Sequence, residues 1–104
     1  MTAQSNLMVL YRWRVRPDRE ETFVDAWSLI TRQLRERGSH GSRLHRGDDG
    51  LFYGYAQWAD ADAITLAFAQ PMHEDAASRM RDAVVENFPP VRLAPIADFL
   101  VPFH

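Results

Sequence analysis

The sequence contains no cysteine. This absence excludes disulfide bonds, thiolate metal sites, cysteine nucleophiles and covalent haem attachment. Long hydrophobic runs are also missing, since the longest apolar stretch, Leu7 to Tyr11, is far shorter than a bilayer span. Neither sign of charge dominates, because 12 Lys+Arg against 14 Asp+Glu leave a net charge of -2. We therefore expect neither nucleic acid nor a membrane among the partners of this protein.

What the sequence does contain is typical of one ordinary globular domain. It has 104 residues, of which 46% are hydrophobic and 25% are charged. We therefore expect a single domain over residues 1–104. The segment from Met1 to Asn6 is polar and lacks the basic region of a signal peptide, so we expect a flexible N-terminus and a cytoplasmic protein.

Hydrophobic periodicity and turn signals predict the secondary structure. Alternate residues from Leu7 to Val15 form a continuous apolar face, which is typical of a strand. Phe23, Trp27 and Ile30 recur at helical spacing. The predicted strands cover residues 7–16, 42–46, 51–58 and 91–101, and the predicted helices cover residues 18–37, 61–69 and 72–88.

Local signals define the boundaries of these elements. Asp18 with Glu21 forms an Asp-x-x-Glu capping signature, and Asp60 can cap the next helix. Gly38 is placed to end the first helix, and the sequence Gly47-Asp48-Asp49-Gly50 predicts a hairpin turn. Pro95 cannot donate a ladder hydrogen bond, so the last strand is expected at a sheet edge or with a bulge.

The resulting order, β-α-β-β-α-β, predicts an α+β, ferredoxin-like antiparallel sheet with both helices on one face. Its first and third strands would be central. The third strand is apolar or small on both sides, so a helix-free face exposed to water would be unusual. We therefore expect a second copy of the chain to cover that face, giving a homodimer with an aromatic-lined cavity.

The residues also resemble a known family. Tyr55-Ala56-Gln57-Trp58, followed by an acidic helix start, and the opening Arg14-Val15-Arg16-Pro17-Asp18 are similar to the antibiotic biosynthesis monooxygenase (ABM) family. The resemblance extends from about Leu7 to Val101. It implies a dimeric α+β barrel whose relatives include cofactor-independent oxygenases of aromatic polyketides, quinol monooxygenases and haem-degrading enzymes.

Few of the family's functional positions carry the family residue. Where the polyketide oxygenases have an Asn four residues before the Trp and a Tyr six residues after it, this chain has Gly54 and Ile64. A family Arg falls near Arg79. The Asn, Trp and His positions of the haem-degrading members fall on Tyr11, Ala67 and Ala77, and His73 lies about one turn from the last.

Seven residues are candidates for the site. As catalytic groups we predict Trp58, which could stack on a planar substrate, and Tyr11, which could direct a hydroxyl at developing charge. Each also fits a purely structural role in the core. The substrate-binding candidates are Tyr55, Tyr53, Arg12, His73 and Arg79.

These binding candidates also have structural alternatives. Arg12 lies on a central strand, where a charge binds an oxyanion or forms an ion pair. His73 follows Pro71-Met72 and is either a base or haem ligand, or a solvated residue at a helix terminus. We expect no metal site, since the histidines lack metal-ligand spacing.

Three functions follow from these observations. The first is cofactor-independent oxygenation, by O₂, of a planar aromatic or quinol-like molecule bound by a homodimer. The second is a non-catalytic dimer that binds a small molecule or is purely structural. The third is haem binding through His73.

Overall fold

The computed structural model describes residues 5–101 of the chain. It forms an α+β domain with five strands, three α-helices and one 3-10 turn. The strands are β1 (Leu7–Val15), β2 (Gly41–Arg46), β3 (Phe52–Trp58), β4 (Val84–Asn87) and β5 (Val91–Leu93). The helices are α1 (Glu20–Glu36), α2 (Ala61–Phe68) and α3 (Glu74–Ala83), and the 3-10 turn spans Pro17–Arg19.

The sheet is antiparallel in the order β2-β3-β1-β4, and β5 also pairs with β1. In the central pair, Tyr11 of β1 lies opposite Gly54 of β3. The two short strands share the outer edge of β1, because Trp13 pairs with Asn87 while Leu10 pairs with Val91. The predicted ferredoxin-like arrangement, with the first and third strands central, is confirmed.

The C-terminal third differs from the sequence prediction. The last helix ends at Ala83 rather than at residue 88, and the strand predicted over residues 91–101 contains only Val91–Leu93. The reason is competition from β1, where Arg16 N–H donates to the Ala83 carbonyl over 2.8 Å and Val15 pairs with Val84. Pro89-Pro90 therefore divides an edge strand in two instead of ending a helix.

The helix boundaries are partly as predicted. The predicted Asp18–Glu21 capping box is not formed, since α1 begins through the 3-10 turn and neither N-cap residue makes a side-chain cap. Asp60 does cap α2, accepting from Ala63 N–H at 2.9 Å. Gly38, with φ 110°, follows α1 in the left-handed region, which explains the need for glycine there.

The core lies between the sheet and the helices. β1 and β3 direct alternate residues toward α1, and the fully buried Phe23 and Trp58 are its largest members. Ala67, Ala76 and Ala83 are also fully buried, so small side chains mark where the helices approach the sheet closely. This layer sets the depth of the space between the sheet and the helices.

The opposite, helix-free face of the sheet has two halves. Met8, Leu10 and Tyr55 form its apolar half, together with Val91 and Leu93, which are 41% and 39% exposed. Its other half is charged. Arg12 and Arg14 lie there, and Arg14 Nε is 3.5 Å from Glu86 Oε1.

The N-terminal segment is described only in part. Residues 1–4 of the predicted flexible segment lie outside the described range. Ser5 Oγ lies 2.7 Å from His40 Nδ1, and Asn6 N–H donates to the Trp58 carbonyl over 3.1 Å. Within residues 5–101, no helix is long and apolar enough to cross a bilayer.

Candidate functional site

A cavity of about 500 Å³ lies between the sheet and the helices. All three helices and the segment that joins β4 to β5 contribute to its wall or its ends. Its lining is mostly apolar and aromatic. The lining residues are Tyr11, Trp13, Trp27, Ile30, Thr31, Leu34, Ser42, Gly54, Phe68, Met72, Met80, Asn87, Phe88, Pro89 and Pro90.

Two aromatic rings of β1 form the floor of the cavity. The rings of Tyr11 and Trp13 are nearly parallel, with centroids 5.7 Å apart and an interplanar angle of 8°. Trp13 also makes an edge contact with Phe23 of α1, at 5.2 Å between centroids. Strand periodicity places both rings on the same side of the sheet, where stacking fixes each against the other.

Gly54 allows this floor to lie against the sheet. A Cβ at this position would stand 2.9 Å from both Cη2 and Cζ3 of Trp13, and 3.6 Å from Nε1 of Trp27. The indole of Trp13 therefore occupies the space that a side chain on β3 would need. Gly54 therefore shapes the site because it has no side chain.

The hydroxyl of Tyr11 is the principal polar group at the floor. Burial raises the pKa of the Tyr11 phenol above its ordinary value, and the positive charge of Arg92 opposes this rise. Tyr11 is thus a neutral donor at physiological pH. Among residues 5–101 it has no side-chain hydrogen bond, which leaves its O–H free for a ligand.

The remaining polar lining groups are uncharged. Thr31 and Ser42 contribute hydroxyls, Trp27 an indole N–H and Asn87 an amide, whereas no carboxylate, histidine or arginine of residues 5–101 lines the cavity. The site therefore suits a largely apolar, uncharged molecule with one or two oxygen atoms. Within the described range there is also no group of three or more His, Asp or Glu residues that could hold a metal ion.

The cavity opens where the edge strand is interrupted. Asn87, Pro89 and Pro90 line it and are exposed, as is Phe68 on α2, so these residues surround the entrance. Neither proline has an N–H, and the connection is joined to β1 by a hydrogen bond from Phe88 N–H to the Arg12 carbonyl, at 3.1 Å. The interruption between β4 and β5 thus brings the cavity to the edge of the sheet.

Of the two predicted catalytic residues, only Tyr11 lines the cavity. Trp58 is fully buried in a cluster with Val9 and Ile64, and its Nε1 has no hydrogen-bond partner within the described part of the chain. It contacts the cavity indirectly, since its ring lies 6.2 Å from that of Phe68, a lining residue. Trp58 therefore packs against a residue of the cavity wall without lining the cavity itself.

Three of the predicted binding residues lie on the helix-free face. The hydroxyl of Tyr53 donates to Asp49, which raises the pKa of the Tyr53 phenol and lowers that of the Asp49 carboxyl. Tyr55 belongs to the apolar half of that face. Arg12 places its guanidinium 5.3 Å from the centroid of Phe88, and its Nε is buried without a partner among residues 5–101.

His73 and Arg79 are held in α3. His73 is the N-cap, and its Nδ1 accepts from Ala76 N–H at 3.1 Å. Arg79 Nε lies 3.0 Å from Asp75 Oδ2, one helical turn away. Neither residue lines the cavity, so within the described part of the chain the lining contains no histidine that could ligate a haem iron, and those residues do not fit haem.

Sequence reasoning missed most of the wall. Trp13 and Trp27 are not among the seven candidates, since the sequence places Trp13 only within the apolar strand of residues 7–16 and Trp27 only within the helical stripe. A signal for both was present in the sequence. Trp13 lies on the apolar face of the first strand and Trp27 on the apolar face of the first helix, and these two faces were expected to pack together. Asn87 and Phe88 had no such signal, because residues 72–88 were predicted as a single helix.

The chain resembles one protein family over most of its length. The family model described as Antibiotic biosynthesis monooxygenase matches residues 6–79. No curated protein matches the chain.

Solved structures with this fold are similar in shape but distant in sequence. SnoaB, a cofactor-independent oxygenase from Streptomyces nogalater, is 18% identical with a TM-score of 0.77, covering 92% of this chain and 98% of its own. Rv0793 from Mycobacterium tuberculosis is 16% identical with a TM-score of 0.75, covering 92% and 100%. A conserved protein from Methanosarcina mazei is 13% identical with a TM-score of 0.72, covering 88% and 94%.

Proposed function

The chain belongs to the antibiotic biosynthesis monooxygenase family, and on that premise we propose that it oxygenates a planar aromatic or quinol-like molecule with O₂, without a metal or flavin. The observation that supports this proposal is the cavity itself, whose described lining residues are uncharged and largely aromatic and include Tyr11. The structural similarity to SnoaB, a cofactor-independent oxygenase, is consistent with it.

The proposed reaction draws its electrons from the substrate. An activated ring CH₂ loses a proton to give an enolate, the enolate carbon is oxidised by O₂, and the resulting hydroperoxide loses water. The balance is R₂CH₂ + O₂ → R₂C=O + H₂O, so one oxygen atom enters the product and the other leaves as water. The protein's task is to orient the ring, exclude water and stabilise the enolate oxygen.

Tyr11 would stabilise that oxygen. Its raised pKa keeps the phenol protonated, so it can donate a hydrogen bond to a negative oxygen in an apolar setting, where such bonds are strong. The stacked rings of Tyr11 and Trp13 would hold the substrate ring by aromatic contact. Trp58 is proposed to act through packing on Phe68 rather than through contact with the substrate.

Oxygen consumption with anthrone and with hydroquinones tests the proposal. We expect one O₂ consumed per substrate molecule. One atom of ¹⁸O₂ should enter the new carbonyl of the anthrone product, and a hydroquinone, which has no CH₂, should instead give a hydroxyquinone and water with one ¹⁸O in the new ring hydroxyl. Tyr11→Phe should lower kcat about tenfold or more, the effect of losing one hydrogen bond to a charged oxygen. Tyr55→Phe, on the opposite face of the sheet, is the matched control and should be silent. An absence of O₂ uptake by folded protein across the panel would reject the oxygenase.

A specific observation favours a second function. Among residues 5–101, Tyr11 is the only ionisable group that lines the cavity, and its raised pKa makes it a donor rather than a base. An oxygenase built this way depends on the substrate's own acidity for proton loss. A non-catalytic binding protein has no such requirement. Tight binding of anthrone without O₂ uptake would identify that second function.

The proposed protein is a homodimer whose helix-free faces meet. Support comes from the apolar half of that face, including Met8, Leu10 and Tyr55, which neither a helix nor another sheet covers within residues 5–101. Only the irregular segment after β5 lies beside Met8 and Tyr55 there. The segment after β5 adds further apolar surface, since Ile96 is 98% exposed and Phe99 is 92% exposed. Exposed apolar surface of this kind is typical of a protein-protein interface.

A further inference from the structure

The connection between α2 and α3 forms part of the cavity wall without having regular structure of its own. It runs over residues 69–73, and Phe68 and Met72, which line the cavity, lie at its two ends. Pro71 in its middle has no N–H to donate. The position of both lining side chains therefore depends on whatever holds this segment.

The side chain of Arg37, the residue that directly follows α1, makes most of the polar contacts to the segment. Arg37 Nη1 donates to the carbonyls of Ala67 and Gln70, at 3.0 Å each, and Nη2 donates to the Pro71 carbonyl at 2.8 Å. Its Nη1 also lies 3.9 Å from the sulfur of Met72, a lining residue. The guanidinium thus binds the last turn of α2 and the connection together.

The hydrogen-bond acceptors of Arg37 are backbone carbonyls rather than a carboxylate. Arg37 forms no ion pair with a carboxylate within residues 5–101. Its rigid, planar set of donors instead satisfies carbonyls that the end of a helix leaves unpaired. A second contact, from α1 itself, acts in the same place, since Gln33 Oε1 accepts from the backbone N–H of His73 at 2.8 Å.

We propose that Arg37 is a positioning residue for the cavity: it fixes the α2–α3 connection so that Phe68 and Met72 close over a bound molecule. Arg37 does not touch the ligand itself. Its loss would let the connection move outward and allow the ligand to leave faster. This inference deepens the proposed function and rests on it, because it assigns the control of ligand residence at the same site.

Four variants, one of them a control, separate this role from simple stabilisation. Arg37→Met removes every donor while keeping an apolar stem. Arg37→Lys keeps the charge but loses the planar geometry. The control is Arg35→Met, since Arg35 is exposed in the last turn of α1 and its side chain has no hydrogen bond or ion pair among residues 5–101. Gln33→Leu tests the second contact independently.

Two measurements decide the question. The first is hydrogen exchange of a peptide covering residues 66–74 compared with one inside α1. The second is the stopped-flow dissociation rate of N-phenyl-1-naphthylamine, an uncharged fluorescent aromatic probe. For Arg37→Met we expect both exchange in the 66–74 peptide and dissociation to rise about tenfold, the effect of losing one to two charge-assisted hydrogen bonds. Arg37→Lys should be intermediate and Arg35→Met unchanged.

Opposite outcomes are equally clear. Exchange that rises equally in α1 and in the 66–74 peptide, or dissociation that does not change, would overturn the proposal. If the wild-type protein fails to bind the probe, the proposed function fails, and exchange at residues 66–74 still decides whether Arg37 holds the connection.

Discussion

Gly54 and Trp13 share one space. A Cβ at residue 54 would stand 2.9 Å from two ring atoms of Trp13, closer than carbon atoms approach without displacement. Trp13 in turn stacks with Tyr11, the residue that presents its hydroxyl to the cavity. The absence of a side chain at Gly54 on β3 therefore determines where Trp13 lies on β1, and with it the Tyr11 ring that stacks on Trp13.

We predict that Gly54→Ala displaces Trp13. The fold should be destabilised by about 1–3 kcal/mol, the usual cost of overpacking a core. The affinity for an aromatic ligand should fall because the displaced Trp13 ring changes the shape of the cavity floor. Urea unfolding and fluorescence titration with N-phenyl-1-naphthylamine measure the two effects.

A second substitution checks the cause. Trp13→Phe removes the ring atoms that meet the new Cβ, so the double variant Gly54→Ala/Trp13→Phe should lose less stability than the sum of the two single changes. Additive losses would show that Gly54 and Trp13 do not compete for the same space.

The pH dependence of stability should report on Tyr11. Its pKa is raised in the folded state above the ordinary 10.0, so the folded chain keeps this proton where the unfolded chain has released it. The resulting stabilisation is fully present below about pH 10 and is lost as pH rises through the folded pKa. Urea unfolding between pH 7 and 11 should show a steeper fall for the wild type than for Tyr11→Phe. Tyr53, whose pKa is also raised, is common to both proteins and cancels. Equal slopes would contradict the assignment.

Trp58→Phe should separate packing from catalysis. Trp58 is fully buried, so the smaller ring should leave a void and cost about 1–3 kcal/mol in the free energy of unfolding. Probe affinity should change less than in Tyr11→Phe, because Trp58 does not line the cavity. A folded Trp58→Phe protein that binds anthrone normally but no longer consumes oxygen would return Trp58 to the catalytic role predicted from the sequence.

The proposed dimer predicts opposite effects on the two faces of the domain. Leu10→Asp places a charge in the apolar half of the helix-free face and should give monomers in sedimentation velocity. Leu66→Asp is the control, since Leu66 is 72% exposed on α2, within the helix layer. A wild-type protein that sediments as a monomer at micromolar concentration would remove the dimer.

The sequence predicted the order of the sheet well because its signals are local and strong. Alternation in β1, the turn at residues 47–50 and the Asp60 cap each act within a few residues. The C-terminal third was mispredicted for a different reason. Residues 84–87 fit a helical pattern, yet β1 offers them an unpaired edge, and that choice depends on residues some seventy positions away.

The candidate site was less predictable than the fold for the same reason. Both Tyr11 and Tyr55 are strand tyrosines, and the sequence could not say which side of the sheet the helices cover. Pairing placed Tyr11 toward α1 and Tyr55 on the opposite side. The importance of Gly54 was visible only as the loss of a family residue, because its meaning depends on where Trp13 lies.

The paired prolines between β4 and β5 also affect how the domain behaves in a crowded solution. An open sheet edge ordinarily invites a foreign strand to add to it, through its exposed amide hydrogens. Pro89 and Pro90 offer none. This stretch of the edge, which lines the cavity, is thus poorly suited to pairing with a strand of another polypeptide. One common route to aggregation is therefore disfavoured.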